Sequence, residues 1–106
     1  STNTFEPIDC TGAWVDSPLC RERAEALSQI KRYSELKEQL ISLNVQVWAD
    51  QKFAALVDIA NKGDQLFNQE YFGKSAESYA TANNGLINLV NQSSIMLEQY
   101  ILSGFD

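Results

Sequence analysis

Apolar residues recur at intervals of three and four along most of this chain of 106 residues. That spacing places them on one face of a helix, so the pattern predicts helices that bury one side. Three series occur, and a break or a turn separates each from the next. They comprise Leu27, Ile30, Tyr33, Leu36, Leu40, Leu43 and Val47; Phe53, Leu56, Val57, Ala60, Gly63, Leu66 and Phe67; and Ala76, Tyr79, Leu86, Val90, Leu97 and Ile101. We therefore expect an all-α fold, an antiparallel three-helix bundle.

Local residues indicate where the helices begin and end. Ser17 can cap the free N–H groups of a first helix, and Pro18 suits its first position. Two valines and two cap-forming residues weaken the helical pattern at 44–51, where we expect a break or a kink, and 69–72 is typical of a turn. The third series continues in phase through Gly85, so we expect one long helix there. Asn83, Asn84 and Gly85 could also end a helix, and the alternative is two helices.

Residues 1–17 show no periodicity and contain Pro7 and Gly12, which predicts an irregular arm before a single helical domain at 18–106. Trp14 is expected to anchor the arm against the helices, and the alternative is that it contacts a partner. The apolar residues expected to fold back are Phe5, Ile8, Trp14 and Val15.

Cys10 and Cys20 are the only cysteines. We expect a disulfide between them that ties the arm to the start of the first helix, and the alternative is two free thiols in a reducing cytosol. Because the chain has no histidine and no second cysteine pair, a metal site is not expected. The disulfide and the high Asn and Gln content favour a location outside the cytoplasm, in a periplasm or as a secreted protein.

A run of small and aromatic residues follows Gly63. Ser75 comes twelve positions later, Tyr79 four positions after Ser75, and Ala82 three positions after Tyr79. The residues that form this pattern are Gly63, Leu66, Phe72, Ser75, Tyr79 and Ala82. At these positions the chain resembles one tetratricopeptide repeat, over roughly residues 56–89. The resemblance implies a tight helical hairpin of the kind that serves as a binding scaffold for a peptide or a helix. A generic three-helix bundle is the alternative.

Charge restricts the kinds of partner. The formal net charge is −6, with 8 basic and 14 acidic residues. An acidic chain without a basic face repels phosphate, so we expect neither nucleic acid nor an anionic membrane surface as a partner. No apolar run approaches the roughly 20 residues that a transmembrane helix needs.

The sequence offers little for catalysis. It has no histidine for acid–base chemistry near neutral pH, no glycine-rich phosphate loop and no nucleophile placed beside a base by a motif. Carboxylates at helical spacing, such as Glu35 and Glu38, are typical of a solvated helix face. We expect no enzyme activity and no cofactor.

The expected function is protein–protein interaction. The second and third helices combine tyrosines, which give contact area at low entropic cost, with asparagines that can bond a peptide backbone. The candidate partner-binding residues are Asn61, Asn68, Tyr71, Tyr79, Asn84, Asn88 and Tyr100. The alternative is a structural or dimerising accessory domain of a larger membrane-anchored or secreted protein, with a homodimer formed through residues 27–47.

Overall fold

A computed structural model describes residues 9–102 of the chain. After a 3₁₀ turn at Gly12–Trp14 come four α-helices: α1 (Pro18–Ser42), α2 (Val45–Trp48), α3 (Asp50–Asn68) and α4 (Phe72–Leu102). The part of the chain so described contains no strand, and the all-α prediction is confirmed. No helix within it is long and apolar enough to cross a membrane.

The start of α1 agrees with the sequence pattern. The side chain of Ser17 accepts a hydrogen bond from the backbone N–H of Cys20 at 3.2 Å, and Pro18 is the first helical residue. The predicted disulfide joins Cys10 to the buried Cys20, with 5.5 Å between their Cα atoms. By closing this short loop it removes unfolded-state entropy, which stabilises the fold by about 2–3 kcal/mol.

The arm itself is only partly described. Phe5 and Ile8 lie outside the described residues, as does the side chain of Trp14, so the predicted anchoring is not tested there. Val15 is half exposed, and the prediction that it packs on the helices is wrong. The arm is also less irregular than expected, because a short 3₁₀ turn closes through a bond from the Val15 N–H to the Gly12 carbonyl at 3.3 Å.

Both predicted interruptions are present. Between α1 and α2, Asn44 adopts a left-handed conformation with φ of 57°, which asparagine tolerates better than most residues. Between α3 and α4, Glu70 adopts φ of 66°, and the N–H groups of Glu70 and Tyr71 donate to the carbonyls of Phe67 and Leu66, both at 2.9 Å. This pairing is the Schellman arrangement, which satisfies the last free carbonyls of a helix.

Helix α4 packs against both other long helices and runs unbroken through Gly85. Along its contact with α1, residue numbers increase on both helices, from Glu22 beside Gly73 to Gln29 beside Asn83. These two helices therefore run in the same direction. Along its contact with α3, residue numbers increase on α4 while they decrease on α3, from Gly63 beside Ser78 to Leu56 beside Gly85, so these two helices are antiparallel.

Two clusters of buried residues form the core. The larger has at its centre Leu36, Leu40, Val45, Phe53, Leu86 and Leu89.

The inward face of α1 is rotated slightly from the predicted one. Ala26 is fully buried, whereas Leu27 is 41% exposed. The sequence series favours the larger residue, but it is the small side chain of Ala26 that the fold encloses at this level. Leu43 and Val47, which the series also included, lie beyond the end of α1 and are exposed; Val47 belongs to α2.

Helices α3 and α4 approach each other closely at Gly63. The hydroxyl of Ser75 donates to the Gly63 carbonyl at 2.7 Å in a buried position. A Cβ atom at residue 63 would lie 2.8 Å from Cδ2 of Tyr79 and 3.2 Å from Cβ of Ser78. Since the Tyr79 ring is itself buried, it cannot move aside without disturbing the core.

Replacement of Gly63 by alanine is expected to lower the free energy of unfolding by about 1–3 kcal/mol, because overpacking outweighs the better helix propensity of alanine. Gly73→Ala is the matched control. There the added Cβ meets only the carboxylate end of Glu22, at 3.0 Å, and that flexible side chain can move. Urea unfolding should find this control at least as stable as the parent chain. Equal stability of the two variants would contradict the close approach at Gly63.

Candidate partner-binding groove

A groove runs along the outer side of the α3 and α4 pair, and no residue of α1 lines it. It consists of two open cavities, of about 490 Å³ and about 360 Å³. We call this surface the α3–α4 groove. From α3 it is lined by Lys52, Ala55, Leu56, Ile59, Lys62 and Leu66, and from α4 by Lys74, Glu77, Ser78, Thr81, Gly85, Asn88, Leu89 and Gln92.

The two cavities lie end to end. Numbers descend along α3 while they ascend along α4, so the groove begins where Leu66 faces Lys74 and ends near Lys52 and Gln92. Between them the floor is filled, because Leu56 packs directly on Gly85, where a Cβ atom would overlap its methyl groups. Both cavities have apolar side chains between polar edges, a surface of the kind that accepts a helix or an extended segment.

The charge of the groove is opposite to that of the protein. Lys52, Lys62 and Lys74 are the only basic residues after Lys37, and all three line it. Of the acidic residues on α3 and α4, only Glu77 does so. Because the chain as a whole carries −6, this separation of charge produces one locally positive strip on an acidic surface.

The structure distributes the sequence-predicted partner residues over several surfaces. Asn88 lines the α3–α4 groove, whereas Asn84 lines a different cavity, between α1 and α4. The exposed residues Asn61, Asn68 and Tyr71 line neither of these, and Tyr100 lies near the end of α4, also exposed.

Tyr79 requires a correction. It is only 5% exposed and packs in the core cluster that includes Ala60 and Ala82, so it fills the interior and does not present a surface to a partner. Its ring lies edge-on to that of Tyr33, with 5.5 Å between centroids. The position of Tyr79 in the apolar series of the third helix predicts this burial, whereas its residue type alone suggested a partner contact.

Sequence reasoning did not identify the lysines. The available signal was that every basic residue after Lys37 is a lysine on the two helices of the predicted hairpin. Their positions show no common period, because Lys52 and Lys62 belong to one helix and Lys74 to the other. Only the antiparallel pairing of the two helices brings them to one side.

The opposite side of α4 carries a polar contact with α1. Asn83 is 3% exposed, and its amide nitrogen donates to the carbonyl of Gln29 at 3.0 Å and to the Gln29 side-chain oxygen at 2.9 Å. The Gln29 amide in turn donates to Glu25 at 3.0 Å. This chain of bonds fixes the rotation of α4 against α1, since an amide left unpaired in the interior would be costly.

Two buried side-chain oxygen atoms in the described part of the chain lack a hydrogen-bond partner, the Asn83 amide oxygen and the Tyr33 hydroxyl. Burial raises the pKa of Tyr33 above its ordinary value. Burial also raises the pKa of Tyr79, and the nearby negative charge of Asp64 acts in the same direction. Both rings therefore favour the neutral phenol in the folded state.

Carboxylates do not gather into a metal site in the structure. Glu35 and Glu38 line an open cavity of about 370 Å³ with Gln39 and Ser42. Within residues 9–102, no group of three or more His, Cys, Asp or Glu side chains is placed to hold a metal ion.

No protein family model matches the chain, and neither a characterised protein nor a solved structure shows a significant similarity to it.

The buried tyrosines predict how stability depends on alkaline pH. Because the folded-state pKa of these tyrosines lies above the unfolded value of about 10, the unfolded chain ionises first as pH rises. Their contribution to the free energy of unfolding is therefore complete below pH 10 and is lost as the pH rises through the folded-state pKa. Tyr33→Phe removes an unpaired hydroxyl. It should leave stability at pH 8 unchanged or raise it by up to about 1 kcal/mol, and should reduce the alkaline loss.

Urea unfolding at pH 8 and pH 11 measures both effects. Tyr71→Phe, at an exposed tyrosine, is the control and should lose as much stability as the parent chain. A parent chain whose stability is the same at both pH values would contradict the predicted ionisation, and a strongly destabilised Tyr33→Phe variant would show that the hydroxyl has a partner.

Proposed function

We propose that this protein is a non-enzymatic protein–protein interaction module that holds a segment of a partner along the α3–α4 groove. The observation that carries the proposal is that two cavities in line along the α3 and α4 pair are lined by all the basic residues of both helices. Exposed lysines on a rigid helix pair are placed to attract a segment before its apolar side chains reach the floor.

The chemistry of the groove favours an acidic partner segment. Its floor offers the part-buried side chains of Leu56, Ile59 and Leu66, and its edges offer three ammonium groups. A segment with apolar residues on one side and Asp or Glu beside them matches both features. An amphipathic helix or an extended peptide of this kind is the proposed occupant.

We also propose that the groove belongs to a tetratricopeptide-like hairpin within an antiparallel three-helix bundle. Three contacts support this description. The Ser75 hydroxyl donates to the Gly63 carbonyl, Tyr79 packs over Gly63, and the rings of Phe67 and Phe72 meet edge-on at 4.9 Å beside the turn. The third long helix, α1, packs chiefly on α4 and contributes no residue to the groove.

A location outside the cytoplasm is part of the proposal. Its support is the Cys10–Cys20 disulfide, because such bonds persist in oxidising compartments and are rare in the cytosol.

The alternative of a structural or dimerising domain acting through residues 27–47 has less support. Leu36 and Leu40, the centre of that apolar series, are buried against other helices of the same chain. They are therefore already used in the fold and do not form a seam for a second copy.

Selection from a random library of displayed 12-residue peptides tests the proposal. We expect the peptides recovered on the 106-residue protein to be enriched in Asp and Glu beside apolar residues, and their affinity to fall as salt is raised. The double variant Lys62→Glu/Lys74→Glu should weaken binding of the selected peptides roughly tenfold or more, since each substitution replaces attraction by repulsion.

The double variant Arg21→Glu/Lys31→Glu is the matched control. It changes the net charge by the same amount but on the exposed face of α1, and it should alter affinity by less than about threefold. Equal weakening by the two variants would contradict the groove as the site. Recovery of no peptide, or of peptides without acidic residues, would contradict the proposed acidic segment.

A further inference from the structure

Helix α4 is longer than the helices that cover it. Its last residues in the core are Leu89, which is buried, and Val90, which packs against the same cluster. Every residue from Ser94 to Leu102 is exposed. We call residues 94–102 the α4 overhang; at 1.5 Å per residue it extends for about 13 Å.

The overhang carries the same apolar stripe as the covered part of the helix. Leu86, Val90, Leu97 and Ile101 follow one another at intervals of four and seven, which keeps them on one face. The first two pack in the core, whereas Leu97 is 61% exposed and Ile101 is 55% exposed. A solvent-facing end of a helix does not need this pattern, so the stripe indicates that something packs there.

The charges around the overhang favour a second copy of the chain. Glu98 is the only charged residue between Glu77 and the end of α4. Two molecules that each carry −6 repel one another least where their surfaces are nearly uncharged. A lipid surface fits less well, because the overhang itself carries no basic residue to contact anionic headgroups; Lys52 lies beside Gln92, before the overhang begins.

Further exposed apolar side chains lie at this end of the molecule. Val47 is exposed, and its neighbours Val45 and Trp48 pack in the cluster that holds Leu89. On the overhang, Ile95, Met96 and Leu102 are also exposed but lie on other sides of the helix from Leu97 and Ile101. A contact through the stripe is therefore smaller than the approximately 800 Å² per partner of a stable interface, and the expected dimer is a weak one.

We infer that the α4 overhang is a self-association surface, on which the same segment of a second copy packs to form a two-fold symmetric dimer. Each stripe then covers the other, which completes for residues 94–102 the burial that α1 and α3 provide for the rest of α4. A two-fold contact uses the same patch on both molecules and therefore closes at two copies. The α3–α4 groove lies along the body of the helix pair, so this inference is independent of what the groove binds.

Sedimentation equilibrium of the 106-residue chain, from low micromolar to submillimolar concentration, tests the inference. The mass should rise from that of one chain towards that of two. Leu97→Asp/Ile101→Asp should sediment as one chain throughout. Because both residues are exposed in the monomer, this variant should keep the helical circular dichroism and the thermal midpoint of the parent at the lowest concentration.

The control is Leu19→Asp/Leu27→Asp, which places two aspartates at exposed leucines on α1 and should dimerise like the parent. A parent chain that sediments as one copy at every concentration would overturn the inference, as would equal dissociation of the control. So would a monomeric chain that binds phosphatidylcholine vesicles through the overhang, because that result would assign the stripe to lipid.

Discussion

At Gly63 the backbones of α3 and α4 lie so close that no further side-chain atom fits between the glycine and Tyr79. The bond from the Ser75 hydroxyl to the Gly63 carbonyl holds the pair at that distance. This contact determines how far the outer edges of the two helices stand apart, and hence the shape of the α3–α4 groove. It also turns Tyr79 inward, where its ring meets Tyr33 of α1. The shape of the groove and the packing of the core thus both depend on Gly63 having no side chain.

Helix α4 serves three surfaces in turn. One side forms the groove with α3, another bonds α1 through Asn83, and its last turns extend beyond both. These surfaces differ in chemistry, because the groove carries the lysines and the overhang carries almost no charge. A partner segment and a second copy would therefore occupy separate parts of one helix. A module that pairs through α4 would present two grooves, which increases the effective affinity for a partner with repeated segments.

The helices and most of their limits could be predicted from the sequence, because periodicity, the Ser17 cap and the turn residues are local signals. The end of α1 could not, because the apolar series continues through Leu43 and Val47, beyond Ser42. What could not be predicted depends on how helices meet. Ala26 faces inward in place of Leu27 because spacing alone does not fix the rotation of a helix to within one residue. Leu97 continues the buried stripe in phase, so its exposure follows only from where α1 ends. The groove lysines lie on two helices and share no period, and Tyr79 looked like a contact residue until its burial was known.

Amide hydrogen exchange followed by mass spectrometry at low micromolar concentration tests most directly whether α4 is the central element of this fold. We expect the amides of residues 76–89 to exchange most slowly, through unfolding of the whole molecule, because both core clusters include this stretch. Those of residues 94–102 should exchange much faster although they belong to the same helix. Stronger protection of α1 or α3 than of residues 76–89 would contradict this account, as would uniform protection along α4.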